Sequence, residues 1–335
     1  MKRRTFLQTI AAAPLAGAFG AEAGKIMTVN GMIPARKLGL TLIHEHILVD
    51  FIGADKISAD RWDRAQVQQQ VLPFLLEAKD RGVRSLLDCT PAFLGRDVRL
   101  LREVSDKTGL HILTNTGYYG AVNNKYLPPW AFTETAQQLA DRWIREYEDG
   151  IEGTPVRPGF IKIGVDGPTL SPLHQKLIRA AGLTHLQTGL TICSHTGPAG
   201  PAFEQMTILE EMGVRADAFV WVHAQNEPDK NRYLDAARRG AWVSLDGMGW
   251  GNIENYADWL AQLKREQMLD KVLISHDAGW YRPGETQPME KFVGYTALFD
   301  KVWPLLRVHG FETANKRQLL TANPARAFGI QVRKM

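Results

Sequence analysis

Two histidines one residue apart, His44 and His46, sit inside the apolar run Leu42-Ile43-His44-Glu45-His46-Ile47-Leu48. On a β-strand, side chains at i and i+2 share a face, so the pair projects as a pincer. Neutral imidazole is the commonest metal ligand, and two on one face supply half of a tetrahedral zinc shell. Two core histidines that merely hydrogen-bond would have the same spacing, so the pair alone leaves both readings open. Further polar residues close apolar runs downstream: Lys162 in Phe160-Ile161-Lys162-Ile163-Gly164, His195 after Ile192-Cys193-Ser194, His223 after Val220-Trp221-Val222, and Asp277 after Leu273-Ile274-Ser275-His276. A lysine flanked by isoleucines is expensive to bury charged and unpaired. Its uncharged amine is a nucleophile. It can take up carbon dioxide as a carbamate, which ligates like a carboxylate, or form a Schiff base; four imidazoles in its company suit metals better.

These groups act together only if the chain brings the ends of their runs to one place. Candidate strands span Leu40–His46, Val83–Cys89, His111–Thr116, Phe160–Val165, Leu190–His195, Phe219–His223, Ala241–Asp246 and Val272–Asp277. Between them lie helix-period segments over Arg64–Lys79, Val98–Lys107, Thr133–Asp149, Leu173–Gln187, Phe203–Met212, Lys230–Arg239 and Tyr256–Leu269. Several end at a glycine, including Gly109, Gly189 and Gly240, as helix C-termini do. Lys291–Leu306 reads as an eighth helix, Lys316–Gly329 as a closing helix interrupted at Pro324, and residues 25–38 as an N-terminal hairpin or lead-in strand. Eight βα units over some 300 residues favour a (β/α)8 barrel over a doubly wound sheet, and no Gly-x-Gly-x-x-Gly follows the first strand. In such a barrel, the C-terminal strand ends and the loops after them form the active site.

The chain of 335 residues is 44% hydrophobic and 23% charged, as expected of a globular protein. Residues 1–23 open with Lys2-Arg3-Arg4-Thr5-Phe6-Leu7, continue through a short apolar stretch and reach Ala21-Glu22-Ala23. This pattern predicts a twin-arginine-like export signal and a periplasmic or secreted protein, with residues 24–335 forming a single barrel domain. Removing three cations and one anion with the signal lowers the formal charge from +4 to +2, too weak a field to attract nucleic acid or a membrane surface. Cys89 and Cys193 lie in apolar strands and read as buried side chains rather than a bridge.

With these residues in view, the chain resembles the phosphotriesterase-like branch of the amidohydrolase superfamily. Leu40-Thr41-Leu42-Ile43-His44-Glu45-His46 is similar to that family's first-strand signature, and Ile161-Lys162-Ile163-Gly164 to its bridging-lysine strand. His195, His223 and Asp277 follow in the family's order. The resemblance implies two divalent ions, zinc or else manganese, cobalt or iron. His44, His46 and Asp277 would hold one and His195 and His223 the other, with N6-carboxylated Lys162 and a hydroxide bridging them. It further implies a small-molecule substrate, Asp277 as proton carrier, hydrolysis of an ester-like bond and a homodimer. A lactone or carboxylic ester leads as substrate class, with a phosphotriester or amide as alternatives, and a non-catalytic metal or small-molecule binding protein as the reading from another class.

Around this set the family pattern breaks. Asn226 stands where relatives carry an aspartate that helps move protons, with Glu227 beside it as a substitute, and Gly247 stands where the best-known relatives carry His or Arg. Tyr119 matches an aromatic position against the substrate, and Trp250, Trp280 and Arg282 are candidate pocket residues, the last two in a loop running from Ala278 to Pro288. His276 neighbours Asp277 and so faces away from the barrel interior.

Overall fold

The structure, a computed structural model, describes residues 24–285 and 291–335. The expected export signal and the end of the Ala278–Pro288 loop lie outside the described residues. An antiparallel hairpin, β1 (Lys25–Thr28) and β2 (Gly31–Pro34), leads in, turning at Gly31, whose φ of 105° suits a residue without a side chain. Parallel strands follow: β3 (Thr41–Leu48), β4 (Ser85–Asp88), β5 (His111–Leu113), β6 (Asn115–Thr116), β7 (Phe160–Gly164), β8 (Ile192–His195), β9 (Phe219–Val222), β10 (Trp242–Leu245), β11 (Val272–Ile274) and β12 (Ala278–Tyr281). They occupy eight positions of a closed (β/α)8 barrel. Two positions are split between their neighbours: β5 pairs with β4 while β6 pairs with β7, and β11 pairs with β10 while β12 pairs with β3.

The eighth position differs from the expected strand Val272–Asp277. The ladder stops at Ile274, because Asp277 adopts φ 56°, outside the strand region, and resumes at Ala278. The segment expected to be loop therefore begins as the strand that closes the barrel.

The intervening helices are α1 (Arg64–Asp80), α2 (Val98–Thr108), α3 (Trp130–Thr133), α4 (Ala136–Asp149), α5 (Pro172–Thr188), α6 (Ala199–Glu211), α7 (Asn231–Arg239) and α8 (Ile253–Arg265). Their boundaries follow capping chemistry. Asp63, Asp97, Ser171 and Asn252 each accept backbone N–H groups of the first turn. Thr135 with Gln138 forms a capping box, so the helix expected over Thr133–Asp149 starts at Ala136, with α3 a separate turn before it. Gly109, Gly189 and Gly240 end α2, α5 and α7 in the left-handed conformation. The expected eighth helix shortens to a π-turn over Leu298–Val302 and α9 (Trp303–Val308). α10 (Thr313–Arg317), a π-turn over Gln318–Ala322 and α11 (Asn323–Phe328) run on as one closing helix, and the π-turn falls directly before Pro324, whose ring and missing N–H interrupt the regular ladder there, as expected.

The core is layered. Between sheet and helices lies a large apolar cluster in which Trp143, Trp221, Tyr233 and Tyr295 are fully buried. A second cluster fills the barrel with Ile43, Leu113, Phe160, Trp242 and Leu273, sealed by Ile26 of the hairpin and Phe328 of α11. Phe160 and Trp242 are the first residues of their strands, so apolar bulk occupies the N-terminal end and leaves the C-terminal end to polar groups. Cys89 and Cys193 are buried and free.

Candidate metal centre

The pincer of β3 depends on an irregularity. The register of β3 against β4 shifts between Leu42 and Glu45. Ile43 packs in the barrel interior, yet His44 and His46 also face the site, so the alternation slips by one residue there, as bulges beside active sites do. Asp277, beyond the broken ladder, brings its Oδ1 within 3.1 Å of His46 Nε2 and 3.5 Å of His44 Nε2. Its own N–H donates to the His44 carbonyl at 3.0 Å, tying its left-handed backbone to β3. His44, His46 and Asp277 thus offer three ligand atoms within 4.8 Å of one another. His223, just past β9, is also left-handed at φ 59°; such strain on two non-glycine residues persists only where surrounding contacts over-determine it.

The other nitrogens of these rings are already engaged. The fully buried Asp246 carboxylate, just past β10, accepts from His44 Nδ1 at 3.2 Å and His223 Nδ1 at 2.7 Å. Ser244 Oγ at 2.6 Å, Gln225 Nε2 at 3.2 Å and the His223 backbone N–H at 3.3 Å complete its shell. His46 Nδ1 meets Thr90 Oγ1 at 2.8 Å; that hydroxyl donates to the Leu48 carbonyl at 2.9 Å and so receives the imidazole proton. Protons fixed on Nδ1 leave the Nε2 lone pairs free, which is how carboxylate and hydroxyl partners prepare histidines for metals. His44, His223 and Asp246 also fall within ligand reach of one another. Because Asp246 already bridges the two Nδ1 atoms, it reads as a brace rather than a ligand.

Lys162, in the middle of β7, is buried, and among the described residues its amine makes no hydrogen bond or ion pair; its Nζ lies 5.5 Å from the Tyr119 ring centre. His195, at the end of β8, packs its ring 4.5 Å from His223 and 5.0 Å from Tyr119. An orphaned buried amine beside imidazoles and a carboxylate fits a cationic centre, so the donor set suits divalent ions. Burial holds His195 well below the usual imidazole range, with the neighbouring His223 adding to the effect, so it is neutral and able to ligate. Burial also lowers His44. At His223, burial pulls the same way, but the Asp246 carboxylate outweighs it and raises the pKa. Desolvation would raise Asp277, yet His44 and the His46 hydrogen bond hold it well below the carboxylate range, and it is ionised at neutral pH.

The interior residues were legible in the sequence; their braces were not. Glu45, between the two histidines, is fully buried on the opposite side of β3. Its carboxylate accepts from Ser275 Oγ (2.7 Å), His276 Nδ1 (2.7 Å) and the Ala278 N–H (2.9 Å), fastening strand one to the break in strand eight. His276 lies on that outer side, as expected, where its Nε2 accepts from the Leu298 N–H. A signal for Glu45 existed: a carboxylate within an apolar strand demands partners.

The candidate pocket residues divide. Tyr119 is brought against His195, and Trp250 donates from Nε1 to the Asp277 carbonyl at 2.6 Å. Trp280 lies in β12 rather than in a loop, its ring 5.5 Å from that of His46. Arg282 sits 5.7 Å from the Trp280 and Phe51 ring centres, further from the histidines. Glu227 does not replace the missing aspartate: it accepts from the Ala199 and Asp229 N–H groups at 2.7 and 2.8 Å and is committed to the loop. At Gly247 a Cβ would stand 2.6 Å from the Tyr256 hydroxyl, so Tyr256 has taken the space a larger residue would fill. Asp277, His195 and His223 open onto a cavity of about 450 Å³ that also contains Asn226, Trp250 and Tyr256. No helix among the described residues is long and apolar enough to cross a membrane.

Known proteins are similar to this chain in sequence and fold. The phosphotriesterase family model matches residues 24–328. The chain is 30% identical over 294 residues to the phosphotriesterase homology protein of Escherichia coli, covering 87% of this chain and 98% of that one. It is 26% identical over 306 residues to the aryldialkylphosphatase of Saccharolobus solfataricus, covering 88% and 96%. Among solved structures, a triple mutant of the organophosphorus hydrolase from Deinococcus radiodurans superposes with a TM-score of 0.82 at 28% identity, over 91% of this chain and 97% of that one.

Proposed function

The chain belongs to the phosphotriesterase family of hydrolases, and from that premise we propose that it hydrolyses a lactone or carboxylic ester with two divalent ions at the barrel rim. His44, His46 and Asp277 would hold one ion, His195 and His223 the other, with Lys162, carboxylated on Nζ, between them. Zinc is the ion the donor set favours, with manganese, cobalt and iron also able to use it. When bound, such a pair lowers the pKa of a shared water and polarises the substrate oxygen.

The chain's own residues supply the rest. Asp246 and Thr90 keep the imidazoles in the ligating tautomer and orientation. Asp277, ionised and opening onto the cavity, is placed to take a proton from the attacking water and return it to the leaving oxygen. With Glu227 turned away and glycine at 247, neither position extends that relay, so Asp277 itself would carry the proton to the leaving oxygen.

One observation carries the substrate class: among the described residues, no Lys, Arg or aliphatic side chain lines the cavity beside Asp277. An amide with an anionic leaving group finds no cation among these residues, and the apolar arms of a phosphotriester would have only the rings of Trp250, Tyr256 and Trp259 to pack on. The test is metal content per chain on protein purified without added metal, paired with turnover of lactones, aryl esters, phosphotriesters and N-acyl amides. Two ions per chain with lactones or esters preferred supports the reading; preference for another class overturns the substrate. Protein that takes up no metal from zinc or manganese with bicarbonate is a small-molecule binding protein on a barrel scaffold. We further propose, from the paired arginines near the N-terminus, that the enzyme works in the periplasm or outside the cell, and that it pairs as a homodimer. Fractionation and sedimentation test these.

A further inference from the structure

We infer that the cavity beside Asp277 selects a neutral, polyhydroxylated lactone, its ring hydroxyls bound by side-chain amides; this deepens the lactone reading above and rests on it. Beyond the metal-facing residues, the cavity presents the amides of Gln225, Asn226, Asn252 and Asn255, the Tyr256 hydroxyl and the Trp250 ring. Gln225 is spent: its Nε2 donates to the Asp246 carboxylate and its Oε1 accepts from the Asp246 N–H, both at 3.2 Å. The others are available. Asn252 commits its Oδ1 to the Glu254 N–H at 2.8 Å, which leaves its NH2 to donate. The side-chain amides of Asn226 and Asn255 make no hydrogen bond among the described residues.

The chemistry of the wall then matches one kind of ligand. A hydroxyl is both donor and acceptor, and so is a primary amide, so each free Asn can serve a hydroxyl whichever way it turns. Asn252 and Asn255 are three apart at the start of α8 and therefore neighbours on its surface. Trp250 is fixed by its bond to the Asp277 carbonyl, and Trp259 carries the Lys230 ammonium 4.2 Å from its ring centre; both aromatics are held in place to cover the C–H face of a sugar-like ring. The volume suits a five- or six-membered lactone ring with ordered water. Among the described residues the lining holds no Lys or Arg to receive a phosphate or carboxylate handle, the nearby Lys230 ammonium being spent on the Gln225 and Glu227 carbonyls, and no aliphatic side chain to receive a long acyl tail.

The experiment uses the metal-loaded enzyme and a pH-indicator assay on four lactones: galactono-1,4-lactone, unsubstituted γ-butyrolactone, N-octanoyl-homoserine lactone and a 5-phosphorylated ribonolactone. The expected result is the highest kcat/KM on the galactonolactone. Asn255→Ala, a change on an exposed helix surface, should narrow its advantage over γ-butyrolactone by about tenfold, through KM, the effect of losing one hydrogen bond. Equal or greater kcat/KM on the unsubstituted, acylated or phosphorylated lactone overturns the inference while leaving a lactonase in place. Turnover of no lactone, with metals bound, overturns the lactone reading beneath it.

Discussion

The change that tests the site most sharply is Asp246→Asn, because it alters no ligand. The buried carboxylate accepts from His44 Nδ1, the His223 backbone N–H and Ser244 Oγ on one oxygen, and from His223 Nδ1 and Gln225 Nε2 on the other. Asparagine has the same shape but turns one oxygen into an NH2 donor. Whichever way the amide lies, one imidazole then faces a donor and must move its proton to Nε2, the ligating atom, or rotate. A hydrogen bond to a charged group is worth about 1.5 to 3 kcal/mol, and loss of such an outer partner costs about 10- to 100-fold in metal affinity. Competition titrations against metal buffers should show one ion weakened by that factor and the other less. In the metal-free protein, NMR titration should show the His223 pKa falling, since the Asp246 charge that raises it is gone. A folded variant with both affinities and the His223 titration unchanged would refute the bracing role.

Lys162→Ala should remove bound metal and activity together, measured as metal per chain and turnover, because the rim then lacks the group between the two sets of ligands; small carboxylic acids added to the buffer should restore part of both. Gly279→Ala should lower the melting temperature and metal content in step: its φ is +97°, and the new Cβ would fall on the His46 carbonyl oxygen, which already accepts from the Tyr295 hydroxyl at 2.8 Å. The strain alone is about 1 to 3 kcal/mol. Asp97→Ala should shift the urea midpoint by about 1 to 3 kcal/mol, since Asp97 caps α2 through the Arg99 and Leu100 N–H groups and also holds Arg64 and Trp62. Burial opposes ionisation of Asp97, but the hydrogen bonds from Arg64 and Trp62 outweigh it and hold its carboxyl below the usual aspartate value. Its stabilisation is therefore complete above the unfolded pKa of about 3.9 and lost as pH falls through the lower folded value, so wild type and variant should converge in strong acid.

The agreement between expectation and structure has a local origin. Inward and outward residues alternate along a strand, and a glycine ends a helix, whatever the rest of the chain does. Eight apolar runs therefore announced eight strand positions, and His44, His46, Lys162, His195, His223 and Asp277 stood out as polar groups where apolar ones belong. A boundary that moved did so where a local signal was present but overlooked: Thr135 caps α4, which starts at Ala136.

By itself, then, the sequence determined which residue types occupy the strand ends, and with them the barrel and the donor chemistry, because side-chain direction in a regular strand follows from alternation along the chain. Tertiary structure alone decided who supports whom. His44 meets Asp246 across 202 residues and His276 meets Glu45 across 231. The slip in β3 shows in its register against β4, and the break at Asp277 where strand eight closes against strand one. Closing a barrel forces its last strand to match the stagger of its first, and the residues that absorb that mismatch, Asp277 and Gly279 among them, are set by the geometry of the ring rather than by any pattern within their own segment.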